Sequence, residues 1–142
     1  MAAKRRAKRG STRVRHSFPD LGVLDVCLDV RSFKRSYEFY RTLGFRVVEG
    51  QREKGWSVLA RGNTRIGIYD NAIKENVLNF RGGDVHKIVA SLKANGLRPY
   101  KVKLLEREGT GNALVKDPDG NVIFFDTTPA ERGRRKAALR RR

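Results

Sequence analysis

The sequence is poor in several residue types that define whole classes of protein. It has a single cysteine, Cys27, so no disulfide forms within the chain. No apolar run approaches the roughly 20 residues that a membrane-spanning helix requires. The N-terminus is charged but has no apolar stretch behind it, so it does not read as a secretory signal. With one thiol and no such signal, the expectation is a cytoplasmic protein. Histidine is nearly absent too. His16 lies in a basic arm, and His86 falls off the apolar stripe of a helix, where it is expected to face water. Two histidines so placed do not converge as metal ligands must.

Acidic residues are scarce at both ends. Residues 1–16 carry seven Lys or Arg and no acid, and residues 131–142 carry seven against Glu131 alone. Removing +7 and +6 from the net +17 leaves +4 on residues 17–130. The centre therefore reads as an ordinary, mildly basic domain. The ends read as self-repelling cationic segments, expected to be disordered and to attract polyanions in a salt-sensitive way. No aromatic residue interleaves with their charges, and no helix-turn-helix or zinc-finger spacing is present. Weak, non-specific association with nucleic acid is the expectation there, and solubilisation the simpler alternative.

What the chain does have is repetition. Leu21–Val30 reads as a strand with Leu24, Val26 and Leu28 on one face and Asp25, Cys27 and Asp29 on the other. Ser32 caps a helix that runs to about Leu43 and stops at Gly44. Strands follow at Phe45–Gln51, Trp56–Ala60 and Arg65–Asp70. The series then restarts. A strand at Asn76–Arg81 precedes a helix capped by Asp84, striped by Val85, Ile88, Val89 and Leu92 and stopped at Asn95-Gly96. Strands follow at Tyr100–Leu105, Gly111–Lys116 and Asn121–Thr127. Ser32 and Asp84 stand 52 residues apart, as do Gly44 and Gly96. This is an internal duplication, strand–helix–strand–strand–strand. Each copy, at about fifty residues, is too small to bury a core alone. The last two strands are joined by Asp117-Pro118-Asp119-Gly120-Asn121, a sequence with hairpin-turn chemistry.

Val26-x-Leu28-x-Val30, Ser36-Tyr37-Glu38-Phe39-Tyr40, Leu43-Gly44-Phe45 and the Asp117–Asn121 turn together resemble the vicinal oxygen chelate superfamily. Its members include glyoxalase I, bleomycin resistance proteins, extradiol dioxygenases and fosfomycin-resistance enzymes. The resemblance covers about residues 22–128. It implies an α+β fold in which two βαβββ modules make a curved half-barrel sheet around a groove. The expected organisation is a basic disordered arm (1–16), a glyoxalase-like domain (17–130, repeats about 21–70 and 76–128) and a basic tail (131–142). Relatives pair their modules within or between chains, so a homodimer is also implied.

The resemblance further implies a divalent metal held by first-strand and last-strand residues of both copies. Here those positions are Asp25, Val77, Phe124 and a residue near Ile68–Asp70. Valine and phenylalanine cannot ligate a metal, and Asp25 with Asp70 falls short of the three ligands a catalytic site needs. No cofactor is expected, and a divalent metal only with atypical ligands.

The groove candidates are Asp25, Cys27, Asp29, Trp56, Tyr69, Asn79, Arg81, Phe124 and Asp126. They would form a mixed polar and aromatic pocket for a small molecule. Alternatively Asp29 and Arg81 form an ion pair near the local twofold axis and the rest fills space. Trp56, Tyr69 and Phe125 are either stacking surfaces or packing. Cys27 has no histidine to activate it and reads as a buried thiol. Asp25 is a candidate general base only if burial raises its pKa. Three functions remain open. The first is a metal-free binding protein with a dimeric groove. The second is a lyase or dioxygenase with atypical metal ligands. The third is a nucleic-acid-associated protein acting through its basic ends. The ligand's identity would depend on loops such as Glu106–Gly111.

Overall fold

The structure is a computed structural model that describes residues 17–141. The expectations for the basic arm and His16 lie outside the described residues. The chain forms β1 (Gly22–Asp29), α1 (Phe33–Thr42), β2 (Arg46–Gln51), β3 (Trp56–Arg61), β4 (Thr64–Tyr69), β5 (Val77–Gly82), α2 (Val85–Ala94), β6 (Lys101–Leu104), β7 (Gly111–Lys116), β8 (Val122–Thr127) and α3 (Pro129–Arg140). The expected strands and first two helices all form, with ends shifted by a residue or two. No helix among the described residues is long and apolar enough to cross a membrane.

All eight strands join one curved, open sheet in the order β2-β3-β4-β1-β5-β8-β7-β6. Each repeat supplies four neighbouring strands, and the two halves meet where β1 runs antiparallel to β5. Val26 pairs with Leu78, the residue 52 positions further on. Pairing partner and repeat equivalent thus coincide, which places the local twofold axis between these two residues. The modules pair within one chain.

Both expected N-caps are made. Ser32 Oγ accepts from the Arg35 amide at 3.3 Å, and Asp84 Oδ1 from the Lys87 amide at 3.0 Å. Each satisfies an otherwise orphaned helix donor. In the β7–β8 turn, Asp117 accepts from the amides of Asp119 and Asn121 and from the Asn121 side chain, while Gly120 takes φ +86°. These hydrogen bonds, led by Asn121, hold the Asp117 carboxyl below its ordinary pKa.

The two halves are packed unequally. Helix α2 buries Val85, Ile88, Val89 and Leu92 against Ala113, Val115 and Phe125. Helix α1 buries no residue fully, although its apolar spacing predicts a packed face. Its aromatic side chains contact one another instead: Phe33 with Tyr37, and Tyr40 with both Phe39 and Phe45.

The basic C-terminal segment is not the disordered tail its composition predicts. Thr128 and Glu131 form a reciprocal capping box with Pro129 at the first helical position, and α3 follows. Arg132 then pairs with Asp84 at 3.3 Å and Arg135 with Asp20 at 2.7 Å. Self-repulsion is offset by carboxylates on the domain, which composition alone does not reveal.

Candidate functional site

Alternation along the strands puts one set of side chains on the concave face of the sheet. One row of paired residues there runs Asp25, Asn79, Phe124, Leu114, Lys101 across five strands. The face borders a cavity of about 730 Å³. Of the sequence-predicted residues, Cys27, Trp56, Tyr69, Asn79, Arg81, Phe124 and Asp126 line it. Asp25 and Asp29 do not. Phe125 points the other way, into the α2 core against Phe80, and so belongs to packing.

Asp25 is 1% exposed and is held by two guanidinium groups. Arg65 Nε donates to Oδ1, while Arg65 Nη2 and Arg81 Nη1 each reach Oδ2 at 3.3 Å. Arg81 also donates to Glu49 at 2.7 Å and to Glu131 of α3 at 2.5 Å. Burial works against the Arg81 charge, but Glu49 and Glu131 outweigh it and raise its pKa. The expected Asp29–Arg81 pair is not formed. Arg81 stands opposite Val23 in the antiparallel ladder, six residues before Asp29, a separation of about 20 Å at strand rise. Asp29 is exposed at the other end of β1, where its amide donates to Asn76 Oδ1.

The aromatic wall lies across the cavity. Trp56 and Tyr69 face each other on β3 and β4, their rings 6.0 Å apart and 2° from parallel. Burial raises the Tyr69 phenol well above its usual range, with the neighbouring Cys27 adding to it. Burial likewise raises the Cys27 thiol, with a hydrogen bond to Tyr69 opposing. A raised thiol is a poor nucleophile. Asn79 is 8% exposed and its side-chain oxygen has no hydrogen-bond partner. No described residue makes a hydrogen bond or ion pair to the Asp126 carboxyl. Burial raises its pKa, as do Glu131 and Glu49, against Arg81.

Glu49, Arg65 and Glu131 take part in the site, and sequence reading did not select them. Arg65 was accessible from the parallel β1–β4 pairing, and Glu131 from the Thr128-x-x-Glu131 capping box. The loop that borders the cavity is Ala72–Glu75, not Glu106–Gly111. His86 is half-buried instead of facing water. Its Nε2 lies 3.1 Å and 2.9 Å from the carbonyl oxygens of Leu105 and Thr110, so it donates and pins that second loop.

The register also fixes the four positions at which the resemblance places a metal. Cys27 pairs with Gly67, and its repeat equivalent Asn79 pairs with Phe124. The counterpart of Phe124 is therefore Gly67, one residue before the Ile68–Asp70 stretch near which it was expected. A metal does not fit this set. Val77, Phe124 and Gly67 have no donor side chain, and Asp25 is committed to two arginines. A Cβ on Gly67 would stand 2.7 Å from Tyr69 Cε2, so the Tyr69 ring already fills the space a ligand side chain would use. Among the described residues, no three His, Cys, Asp or Glu side chains are grouped to hold a metal ion.

These features define a single-chain, paired-module sheet protein with a groove on its concave face. No protein-family model and no curated protein matches the chain. Solved structures do. A glyoxalase/bleomycin resistance protein/dioxygenase superfamily member from Vibrio splendidus is 14% identical, with 73% of this chain and 96% of that one covered and a TM-score of 0.53. Methylmalonyl-CoA epimerase from Streptomyces coelicolor is 18% identical over 80% and 97%, at 0.53. A Legionella pneumophila protein described as an NAD-dependent benzaldehyde dehydrogenase is 16% identical over 73% and 97%, at 0.59. The fold is the one that these solved structures share, the glyoxalase/bleomycin resistance protein/dioxygenase superfamily member among them. At such identities the likeness extends to fold alone, because one fold hosts many chemistries.

Proposed function

We propose that this protein binds a small organic molecule in the concave groove without a metal among Asp25, Val77, Gly67 and Phe124. The observation that carries the reading is the cavity itself. It has the size of a small-molecule site, an aromatic wall, and a few polar groups set among Val77, Leu114, Val122 and Phe124. Where the superfamily resemblance calls for donors, hydrocarbon and a tyrosine ring stand instead. Such a floor holds ligands by burial and stacking, and a handful of polar atoms fix their orientation.

The test is a thermal-shift screen of small aromatic and heteroaromatic compounds, followed by titration. Binders should raise Tm and change the emission of Trp56, the chain's single tryptophan. Metal analysis of gently purified protein should find no stoichiometric ion. A stoichiometric metal whose removal abolishes ligand binding would overturn the reading.

A second reading rests on α3. Glu131, Arg132 and Arg135 hold the helix to the domain, while Arg134, Lys136, Arg140 and Arg141 are exposed. That face suits a polyanion such as the backbone of a nucleic acid. Deleting residues 1–16 and 129–142 should abolish low-salt binding to DNA or RNA, and unchanged affinity would sink it.

A further inference from the structure

We infer that the groove's ligand carries a cationic nitrogen group with N–H donors at one end of a flat ring system, seated between Asp126, Asn79 and the Trp56–Tyr69 wall. This rests on the groove-binding reading above and names its ligand class.

The first support is local charge. The whole chain is +17, yet the Arg81 end of the groove runs the other way. Asp25, Glu49, Asp126 and Glu131 gather there against Arg65 and Arg81, and Arg134 at the adjoining surface still leaves carboxylates in excess. The more distant cations count for little, since charges in water are screened beyond about 8–10 Å. Arg81 offers no free charge for an anionic ligand, because Asp25, Glu49 and Glu131 already surround it.

The second support is unused acceptor capacity. The Asp126 carboxyl lines the cavity and is neither hydrogen-bonded nor ion-paired to any described residue. Asn79 lines the same cavity, is more than nine-tenths buried, and its oxygen has no partner. The Asn79 amide also hydrogen-bonds the Cys27 thiol, which leaves its oxygen as the acceptor without a partner. A buried acceptor without a donor is costly, and a ligand N–H removes that cost. Asn79 and Asp126 stand on adjacent strands one step apart in register, since Asn79 pairs with Phe124 and Arg81 with Asp126. Two acceptors on neighbouring strands can serve N–H donors at one end of the same ligand.

The third support is the wall. The parallel Trp56–Tyr69 pair stands toward the Asp29 end of β1, since Tyr69 pairs with Asp29, and offers its ring faces to the flat part of a ligand whose cationic group reaches towards Asp126. The cavity's lysines lie away from Asp126. Lys74 precedes β5 at its Val77 end, the end at which the wall stands, and Lys101 is on the outermost strand, about 10 Å across the sheet from β8.

The experiment uses the full chain and three near-isosteric probes: benzamidine, benzamide and benzoate. Trp56 fluorescence and calorimetry follow each titration. Benzamidine should bind at least about tenfold more tightly than benzoate, with benzamide between them. Asp126→Asn keeps the shape and removes the charge, and should bring the benzamidine-to-benzoate ratio close to one. Asn79→Leu should weaken benzamidine severalfold while leaving benzoate unchanged. Circular dichroism and Tm confirm that both variants fold. Benzoate or benzamide binding as tightly as benzamidine, with a Trp56 response, would overturn the ligand class and leave groove binding standing. A ratio unmoved by Asp126→Asn would also overturn it. No Trp56 response to any of the three would count against both the class and the groove.

Discussion

Tyr69 lies over Gly67, so close that a single added methyl on the glycine would sit 2.7 Å from the ring carbon Cε2. Gly67→Ala should therefore displace a ring that is itself stacked on Trp56, destabilising the fold by about 1–3 kcal/mol. Equilibrium unfolding measures the loss, and a shift in Trp56 emission reports the moved ring. In a Tyr69→Ala background the same substitution should cost little, because the obstruction is gone. Equal costs in both backgrounds would mean that the ring is not the obstacle.

Arg81 joins three carboxylates, two of them largely buried. Arg81→Met should cost about 2–4 kcal/mol, since Glu131 loses its charged partner and Asp25 keeps only Arg65. Glu49→Gln should cost less than about 1 kcal/mol, because the Glu49 side chain is 42% exposed and its pairing is screened. Chemical denaturation of both variants decides whether burial sets the ranking.

Asp126 gives a pH signature with a definite sign. Its folded pKa is raised by burial, then by Glu131 and Glu49, with Arg81 opposing. The folded state therefore favours the neutral acid. The associated stability is complete below the ordinary carboxylate value of about 3.9 and is lost as pH rises through the folded value. Asp126→Asn should accordingly raise Tm at neutral pH, by about 2 °C, and the gain should vanish on acidification below about 3.9. A gain that persists there would show that charge is not its source. A residue that weakens the fold when ionised is what a binding role for that charge would leave behind.

Cys27 should be slow towards thiol reagents. It is buried and its thiol is pushed up by that burial. Native protein should react at least about a hundredfold more slowly with a disulfide reagent than denatured protein at the same pH. Comparable rates would mean that the β1 segment opens freely.

Removing α3 tests whether the helix is fastened. Truncation after Thr127 deletes Glu131, Arg132 and Arg135, and with them the pairs to Arg81, Asp84 and Asp20. Tm should fall, and the fall should shrink as salt is raised, because Arg135–Asp20 is largely open to solvent.

The fold was legible because its signals are local and occur twice. Ser32 and Asp84 as caps, Gly44 and Gly96 as stops, and strict alternation along β1 needed no knowledge of distant contacts. The concave residues were legible for the same reason. Partnership was not. The 52-residue offset made Arg81 equivalent to Asp29, but equivalence is not adjacency. The antiparallel junction puts Arg81 beside Val23 and leaves Asp29 at the opposite end. Arg81's other partners, Glu49 and Glu131, come from an edge strand and a helix after the last strand, across more than thirty residues of chain in each case. The curvature that brings them together is a property of the whole sheet. Helix α3 is masked by its net charge, although Thr128–Glu131 spell out a capping box.

The unequal burial beneath α1 and α2 bears on how the groove behaves. Four buried aliphatic side chains clamp α2 to its strands, while α1 contributes none, so the repeat carrying Trp56 and Tyr69 is the softer of the two. One wall of the groove is then mounted on a firm support and the facing wall on a yielding one. Amide protons of α1 and β2 should exchange with solvent well before those of α2 and β8. Such a cleft can change its width to suit ligands of different thickness, and would be expected to favour breadth of recognition over a tight match to one shape.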